Sequence, residues 1–479
     1  MRRARSGILV VLGLLLAGPP PRAAAEDAAL RAAVEAAAAG APDGTTLAVR
    51  VETPQGEVLC SLHGEEPLVP ASNMKLLTAA AALELLGPGF VHETRLVAVG
   101  RREGDALVGD LWIVGGGDPT ISRRCDKDPL LDELAAAVAA TGIRRVTGDL
   151  VFDARAFDDE RLHPSWEPSD HEHWYGAEVA ALALNDDCVD VTVRGGAEGP
   201  QVSLEPQSEH VKLEVEARPT GDKRQHRFAL VRTGADKRTL RLTGRVWQKA
   251  GAYTTSVPVS DPSRFFAAVL QARLSARGVA LAGQLRPARA GEACAGGAAL
   301  WERKAPLPRT LQVMNHVSQN FYAECLLKTL GRRDAQGQLT QQGTWKRGAA
   351  VSQAFARERC GVPAGEVTVS DGSGLSRDDR LSARALVAVL RRALGGEHAR
   401  VYWDSLARPG EEGTLRRRLQ ELPPGVELRA KTGTLTGVAA LSGAIEKGGR
   451  RWLFSLIMNG KGTSRRYLDR VALALAKRL

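Results

Sequence analysis

The stretch Pro70-Ala71-Ser72-Asn73-Met74-Lys75-Leu76-Leu77-Thr78, running on through a nearly unbroken apolar segment to Gly87-Pro88-Gly89, decides how this chain is read. The apolar run closed by Gly-Pro-Gly predicts a helix, with Ser72 at its N-cap or in its first turn. A helix apolar almost all round belongs in the middle of a domain. Its amino end, where free N–H groups point forward, is suited to stabilising a developing oxyanion. Lys75 lies three residues beyond Ser72, on the same face and within side-chain reach. To take the serine proton this lysine must be neutral, which means lowering its pKa from about 10.4 to near 7, a cost of roughly 4 kcal/mol. Burial and a second cation can supply that shift. A lysine in a first turn otherwise simply snorkels to water, and the rest of the chain has to separate the two readings.

Two further motifs follow in order, each once: Ser318-Gln319-Asn320 and Lys431-Thr432-Gly433. Motifs this short recur by chance, so their order and singleness carry the weight. Together the three form the equipment of an acyl-transferring serine enzyme in which lysine handles the proton. Ser318 is a second hydroxyl able to relay a proton, and Asn320 an amide able to grip a peptide carbonyl. In other settings both residue types serve as caps or turns. Residues 428–435 read as a strand carrying Lys431, Thr432 and Thr434, with Gly433 letting a ligand backbone lie alongside. Lys431 is the expected second cation, and a backbone N–H on this strand can pair with that of Ser72 as an oxyanion hole.

The chain has 479 residues and a net charge of +10. Arg2, Arg3 and Arg5 precede an apolar run over residues 8–16, then Gly18-Pro19-Pro20 and Ala23-Ala24-Ala25, the pattern of a cleavable secretory signal. That run is shorter than the roughly 20 residues a membrane span needs, and no cysteine stands near it to take a lipid. The expectation is an exported, soluble mature protein from about Glu26, periplasmic or otherwise outside the cytoplasm, with no membrane span. Export also removes nucleic acid as a partner, leaving anionic wall polymers as the functional reading of the basic charge and a solvated surface as the plain one. The six cysteines (Cys60, Cys125, Cys188, Cys294, Cys325, Cys360) would sit in an oxidising compartment. About 15 pairings are open, with Cys125–Cys188 and Cys294–Cys360 as guesses, and no C-x-x-C marks a zinc or redox site.

Residues 28–39 predict a helix, and residues 46–51 and 58–62 a strand pair about a turn at Pro54-Gln55-Gly56. At the far end, residues 441–445 and 452–458 predict a second strand pair and residues 464–477 a final helix. Short β-like runs at 111–114, 189–193 and 211–215 fill the middle, and helical segments return at 263–277, 310–330, 344–358 and 382–394. The expectation is an α/β (α+β) catalytic domain with an antiparallel sheet and helices, its two ends meeting in one sheet, split by a long, mostly β insert. Its parts are a signal over 1–25, a first catalytic part over 26–93, inserted β-rich material over 94–261 and a second catalytic part over 262–479.

The three motifs together resemble the penicillin-binding protein and serine β-lactamase superfamily. The stretch between Ser72 and Ser318 is far too long for a β-lactamase and is similar to the D-Ala-D-Ala carboxypeptidase/endopeptidases of the DacB (penicillin-binding protein 4) type, which insert two extra domains there. Gly115-Gly116-Gly117-Asp118-Pro119 and Asp371-Gly372-Ser373-Gly374-Leu375-Ser376-Arg377 strengthen the likeness. The resemblance implies Ser72 as nucleophile, Lys75 as general base, Ser318 as proton relay and Asn320 as a substrate-positioning amide. It further implies that Lys431 and Thr432 bind the terminal carboxylate of a peptidoglycan stem peptide, and that the N–H of Thr434 completes the oxyanion hole with that of Ser72. β-Lactam antibiotics would then be covalent inhibitors, no cofactor or metal would be needed, and a homodimer is left open.

His171-Glu172-His173, with His163 and Asp170 nearby, lacks the spacing of H-E-x-x-H and reads as a polar loop. Gly372-Ser373-Gly374 lacks the outer glycines of a nucleophile elbow, and Gly115-Gly116-Gly117 the last glycine of a dinucleotide fingerprint. A serine peptidase acting on D-alanyl bonds is the leading reading. A β-lactamase and a non-catalytic wall-binding protein with a relic site are the rivals.

Overall fold

Two strand pairs from opposite ends of the chain close into one sheet. The computed structural model describes residues 22–125 and 130–478, so the expected secretory segment lies outside the described residues as far as residue 21. The strands run Val426–Leu435, Val438–Lys447, Arg450–Gly460, Thr45–Glu52, Val58–Leu62 across the sheet, every neighbour antiparallel. Thr45–Glu52 pairs with Arg450–Gly460 along its whole length, which joins the two ends. The strand period of two sends alternate side chains to opposite faces. Leu47, Val49, Leu456 and Met458 pack with Leu30, Val34, Leu468, Val471 and Leu475 of the first and last helices, Arg22–Ala38 and Arg465–Arg478. Ala48, Ala444, Leu453 and Ile457 pack instead into a larger helical core. A sheet covered on both faces needs apolar residues on both, and Val438–Lys447 is buried from Val438 to Ile445.

The helical core is built around Met74–Leu86, whose residues from Met74 to Leu83 are all buried, as an all-round apolar helix must be. Asn320–Leu330, buried throughout, packs against it together with Ala383–Gly395. The helix expected over 310–330 is in fact two, Leu307–His316 and Asn320–Leu330, broken at residues 317–319. The apolar pattern runs on without a breaker. What stops the helix is tertiary: Ser318 takes a left-handed φ of 64°, a conformation costing a non-glycine residue about 1 kcal/mol or more. Its hydroxyl and the Gln319 amide are held by distant partners, Lys431 at 2.8 Å and Asp186 at 2.7 Å.

A second, seven-stranded sheet contains Val91–Glu103, Ala106–Gly115, Arg145–Val146, Leu150–Asp153, Ala280–Leu281, Leu285–Pro287 and Ala298–Pro306. The expected return to the catalytic half at residue 262 therefore falls inside this unit. Pro262–Ala276 buries Phe265, Phe266, Val269 and Leu270 in the same core as these strands, and Ala298–Pro306 pairs with Val91–Glu103. The helix Leu130–Ala140 adds Leu134, Ala135 and Val138 to that core, within a stretch whose short runs predict mostly β material. Two smaller sheets fill residues 188–258.

Neither guessed disulfide forms, since Cys188, Cys294 and Cys360 are thiols. Cys294 packs beside Val97, Trp112 and Val151 of the seven-stranded sheet, whereas Cys360 lies in the helical core, so the two belong to separate packing units. Cys125 Sγ lies 3.1 Å from the Tyr322 hydroxyl. No helix among the described residues is long and apolar enough to cross a membrane.

Candidate active site

Ser72 stands on a short 3₁₀ turn, Ala71–Asn73, that feeds directly into Met74–Leu86. Ala71 has a left-handed φ of 45°, strain that persists because the turn is held from several sides. Asn459 accepts from the Val69 N–H at 3.0 Å and donates to the Val69 carbonyl at 3.1 Å. The Asn73 amide, oriented so that both ends are satisfied, donates to the Lys431 carbonyl at 3.0 Å and accepts from Ser442 Oγ at 2.7 Å. Two glycines let other backbones approach. A Cβ at Gly374, whose φ is 80°, would lie 1.9 Å from the Ala71 carbonyl oxygen, and one at Gly433 would lie 2.9 Å from that of Pro70. The close approach at Gly433 is thus made by the serine-bearing turn itself.

Lys75 is fully buried. Its Nζ donates to Ser72 Oγ at 2.9 Å, to Asn320 Oδ1 at 2.7 Å and to the Ser373 carbonyl at 2.9 Å. Burial lowers this amine to about 7, while Asp371, Glu324 and Asp379 pull it upward. The two acceptors other than the serine share one origin. Asn320 opens the helix Asn320–Leu330, and Glu324, one turn on, accepts from Ser373 N at 2.8 Å and Gly372 N at 3.0 Å. Asp371 accepts from the Gly374 and Ser376 N–H groups at 2.6 and 2.7 Å, fixing the rest of the loop. Glu324 is pushed up to about 7 by burial first and then by Asp371.

The second cation behaves otherwise than the sequence led us to expect. Lys431, fully buried, donates to Ser318 Oγ and to its neighbour's carbonyl, Thr432 O, both at 2.8 Å. Burial first, then the charge of Lys75, drives it well below the ordinary lysine value. The depression of Lys75 has burial as its leading cause, with carboxylates opposing, so the structure needs no charged Lys431 to obtain it. The motifs nonetheless converge: Ser72, Ser318, Asn320 and Thr434 line one cleft, with Lys75 bonded to Ser72 and Asn320, and Lys431 to Ser318, behind it.

Val426–Leu435 is an edge strand. Ala430 N–H points away from the sheet, donating to the Ala407 carbonyl at 3.0 Å. By the alternation of an antiparallel ladder, the N–H groups of Thr432 and Thr434 share that outer edge. Beside it opens a cleft of about 430 Å³ lined by Ser72, Ser318, Asn320, Thr434 and, from the intervening chain, Trp174 and Tyr175. The Tyr175 carbonyl accepts from Asn320 Nδ2 at 2.9 Å, fixing the amide so that its oxygen faces Lys75. Glu324, Tyr175 and the Ser373 carbonyl escaped the sequence reading, since a glutamate inside an apolar helix and a backbone oxygen carry no motif. Among the described residues no group of three or more His, Cys, Asp or Glu could hold a metal ion. Glu172 pairs with Arg232 at 3.3 Å.

A sheet with helices on both faces and a serine hydroxyl held by a desolvated lysine place this molecule among the serine hydrolases with the penicillin-binding protein and β-lactamase type of fold. The chain belongs to the D-Ala-D-Ala carboxypeptidase 3 (S13) family, whose model matches residues 30–478, and is a serine peptidase. It is 32% identical over 444 residues to the D-alanyl-D-alanine carboxypeptidase of Actinomadura sp. (strain R39), covering 88% of this chain and 79% of that one. With the D-alanyl-D-alanine carboxypeptidase DacB of Haemophilus influenzae it shares 24% identity over 427 residues, 85% of this chain and 84% of the relative. The crystal structure of penicillin binding protein 4 (dacB) from Haemophilus influenzae superposes with a TM-score of 0.79 at 22% identity, covering 93% of this chain and 98% of the other.

Proposed function

We propose that this protein hydrolyses D-alanyl-D-alanine bonds in peptidoglycan stem peptides through an acyl-enzyme on Ser72. The observation that carries the reading is the 2.9 Å contact between Ser72 Oγ and a lysine amine whose pKa is near 7. A base with a pKa near the working pH is the one best placed to take and return a proton. Lys75 takes the hydroxyl proton as Ser72 Oγ attacks the carbonyl carbon of the penultimate D-Ala. The negative oxygen is held by the N–H groups of Ser72 and Thr434, an arrangement whose loss costs about a hundred- to a thousand-fold. As the C–N bond breaks, the departing amine collects a proton by way of Ser318, and water then hydrolyses the ester. The stem peptide would add to the open edge of Val426–Leu435 as an extra strand, its terminal carboxylate directed to Thr432 and Lys431.

A β-lactam follows the same path as far as the acyl-enzyme. The relative from Haemophilus influenzae has been solved as a complex with a novel β-lactam, which supports this part of the reading. The protein is exported under the direction of residues 1–25, and the chain between the serine helix and the Ser318 motif forms inserted domains that supply one wall of the cleft. Labelling with a fluorescent penicillin tests the whole: wild type takes a covalent label, Ser72→Ala takes none, and label on the alanine variant would overturn the acyl-enzyme. Rapid turnover of a cephalosporin, rather than trapping, would point instead to a β-lactamase.

A further inference from the structure

A second cleft, of about 630 Å³, lies at the other end of the Asn320–Leu330 helix and takes no part in the chemistry above. It opens between the strands Val91–Glu103 and Ala106–Gly115 and the loop that follows the helix, with Gly115 and Gly116 of the glycine motif in its wall. Its volume is in the range of roughly 300–1,000 Å³ typical of ligand sites.

Three arginines line this cleft, Arg95, Arg155 and Arg332, against two carboxylates, Glu93 and Asp153. Arg155 is committed to Asp153, with bonds at 2.8 and 2.6 Å. Arg332 is different. It is half-buried, its Nε is enclosed without a hydrogen-bond partner, and an Nη2 bond of 3.4 Å to the Leu339 carbonyl is a weak one. Among the described residues Arg332 and Arg95 form no ion pair within 4.0 Å, although the charge of Arg95 helps to lower Asp153. Burial alone pushes the Arg332 guanidinium below its ordinary value, with no anion acting against it. His92, fully buried, feels the Arg332 charge but is lowered to about 4, first by burial, and contributes no counter-charge. The carbonyl end of the preceding helix offers partial compensation within its last turn. A cation withdrawn from water without a partner is costly, and a guanidinium fork is shaped to accept a carboxylate on two parallel bonds.

We infer that this cleft binds a carboxylate of the wall polymer, gripped by Arg332 with Arg95 as a second donor, as a docking site separate from the catalytic cleft. The inference rests on the peptidoglycan reading for the identity of the anion. The 11-residue helix between the two sites rises about 1.5 Å per residue, so the anchored segment would sit about 16 Å beyond Asn320. Holding one peptide there raises the local concentration of its neighbours at Ser72 without any new contact in the catalytic cleft.

The test uses full-length protein acylated with benzylpenicillin, which closes the catalytic cleft, titrated with the tripeptide L-Ala-γ-D-Glu-L-Lys by NMR or calorimetry. Saturable binding is expected, weakened about tenfold or more by Arg332→Gln and by amidation of the peptide carboxylates. Absence of binding at millimolar peptide, equal affinity in R332Q, or saturation by inorganic phosphate but not by the peptide would overturn the site. Should R332Q lose its cooperative thermal melt, Arg95→Gln, at an exposed position, carries the same comparison. A protein that penicillin fails to label refutes the catalytic reading, whereas a labelled protein that ignores the tripeptide refutes this inference alone.

Discussion

Asn320 and Glu324, one turn apart on the same buried helix, hold one amine by two routes. Asn320 accepts from Lys75 Nζ directly at 2.7 Å, and Glu324 grips the N–H of Ser373, whose carbonyl accepts from the same Nζ at 2.9 Å. A rigid helix thereby sets the lysine's position relative to Ser72. Neutral acceptors touch the amine while the carboxylates stay behind a peptide unit, which lets burial dominate and keeps Lys75 near 7.

Putting a carboxylate in direct contact should reverse that balance. Asn320→Asp places an anion 2.7 Å from the amine, and an opposite charge this close raises a pKa by about 1–3 units. Penicillin acylation at pH 7 should fall by about five- to five-hundred-fold and recover as the pH rises. A variant equally slow at pH 7 and pH 9 would mean that the amide acts only on the substrate.

The wild-type rate of acylation should rise with pH through a midpoint near 7, because only the deprotonated lysine accepts the serine proton. Glu324 raises that lysine, so Glu324→Gln should move the midpoint down by roughly half a unit to one unit. A midpoint that stays in place, measured by stopped-flow acylation across pH 5–9, would remove Glu324 from the electrostatics of the site.

Gly374→Ala should cost about 3 kcal/mol or more, since the new Cβ meets the Ala71 carbonyl oxygen at 1.9 Å on a backbone with φ at 80°. The turn bearing Ser72 has to move to admit it. Chemical denaturation gives the stability and a labelling time course the activity. Both should drop together.

Lys431→Met should uncouple stability from activity. Removing a desolvated amine should stabilise the protein by about 1–3 kcal/mol near neutral pH, while kcat/KM on a D-Ala-D-Ala peptide falls for want of the carboxylate's partner. The sign with pH follows from linkage. Lys431 has a folded pKa below its unfolded one, so the unfolded chain binds more protons and wild-type stability gains with pH in that window. As the pH climbs toward the ordinary lysine value the variant should gain less than wild type in urea denaturation, and parallel curves would show that the amine is charged when buried.

Short-range pattern accounts for much of this molecule. The serine helix, both terminal strand pairs and the Lys431 strand follow from periodicity and from glycine and proline punctuation, and each was found within a few residues of its expected bounds. The residue types at Ser72, Lys75, Ser318, Asn320 and Lys431 likewise announced acyl transfer, because few side chains perform it.

Contacts between remote segments were beyond the reach of such patterns. Lys75 and Asn320 are 245 residues apart, and nothing local to either says that they touch. The break at Ser318, the roles of Glu324 and the Ser373 carbonyl, the membership of residues 280–306 in the seven-stranded sheet and the separation of Cys294 from Cys360 are of the same kind. The amino-acid sequence by itself determined the local elements and the chemistry on offer, since these depend on neighbours a few bonds away. Tertiary structure alone decided which groups meet and how dry the meeting place is, because packing the whole core selects one arrangement, and the dryness of that arrangement turns an ordinary lysine into a base.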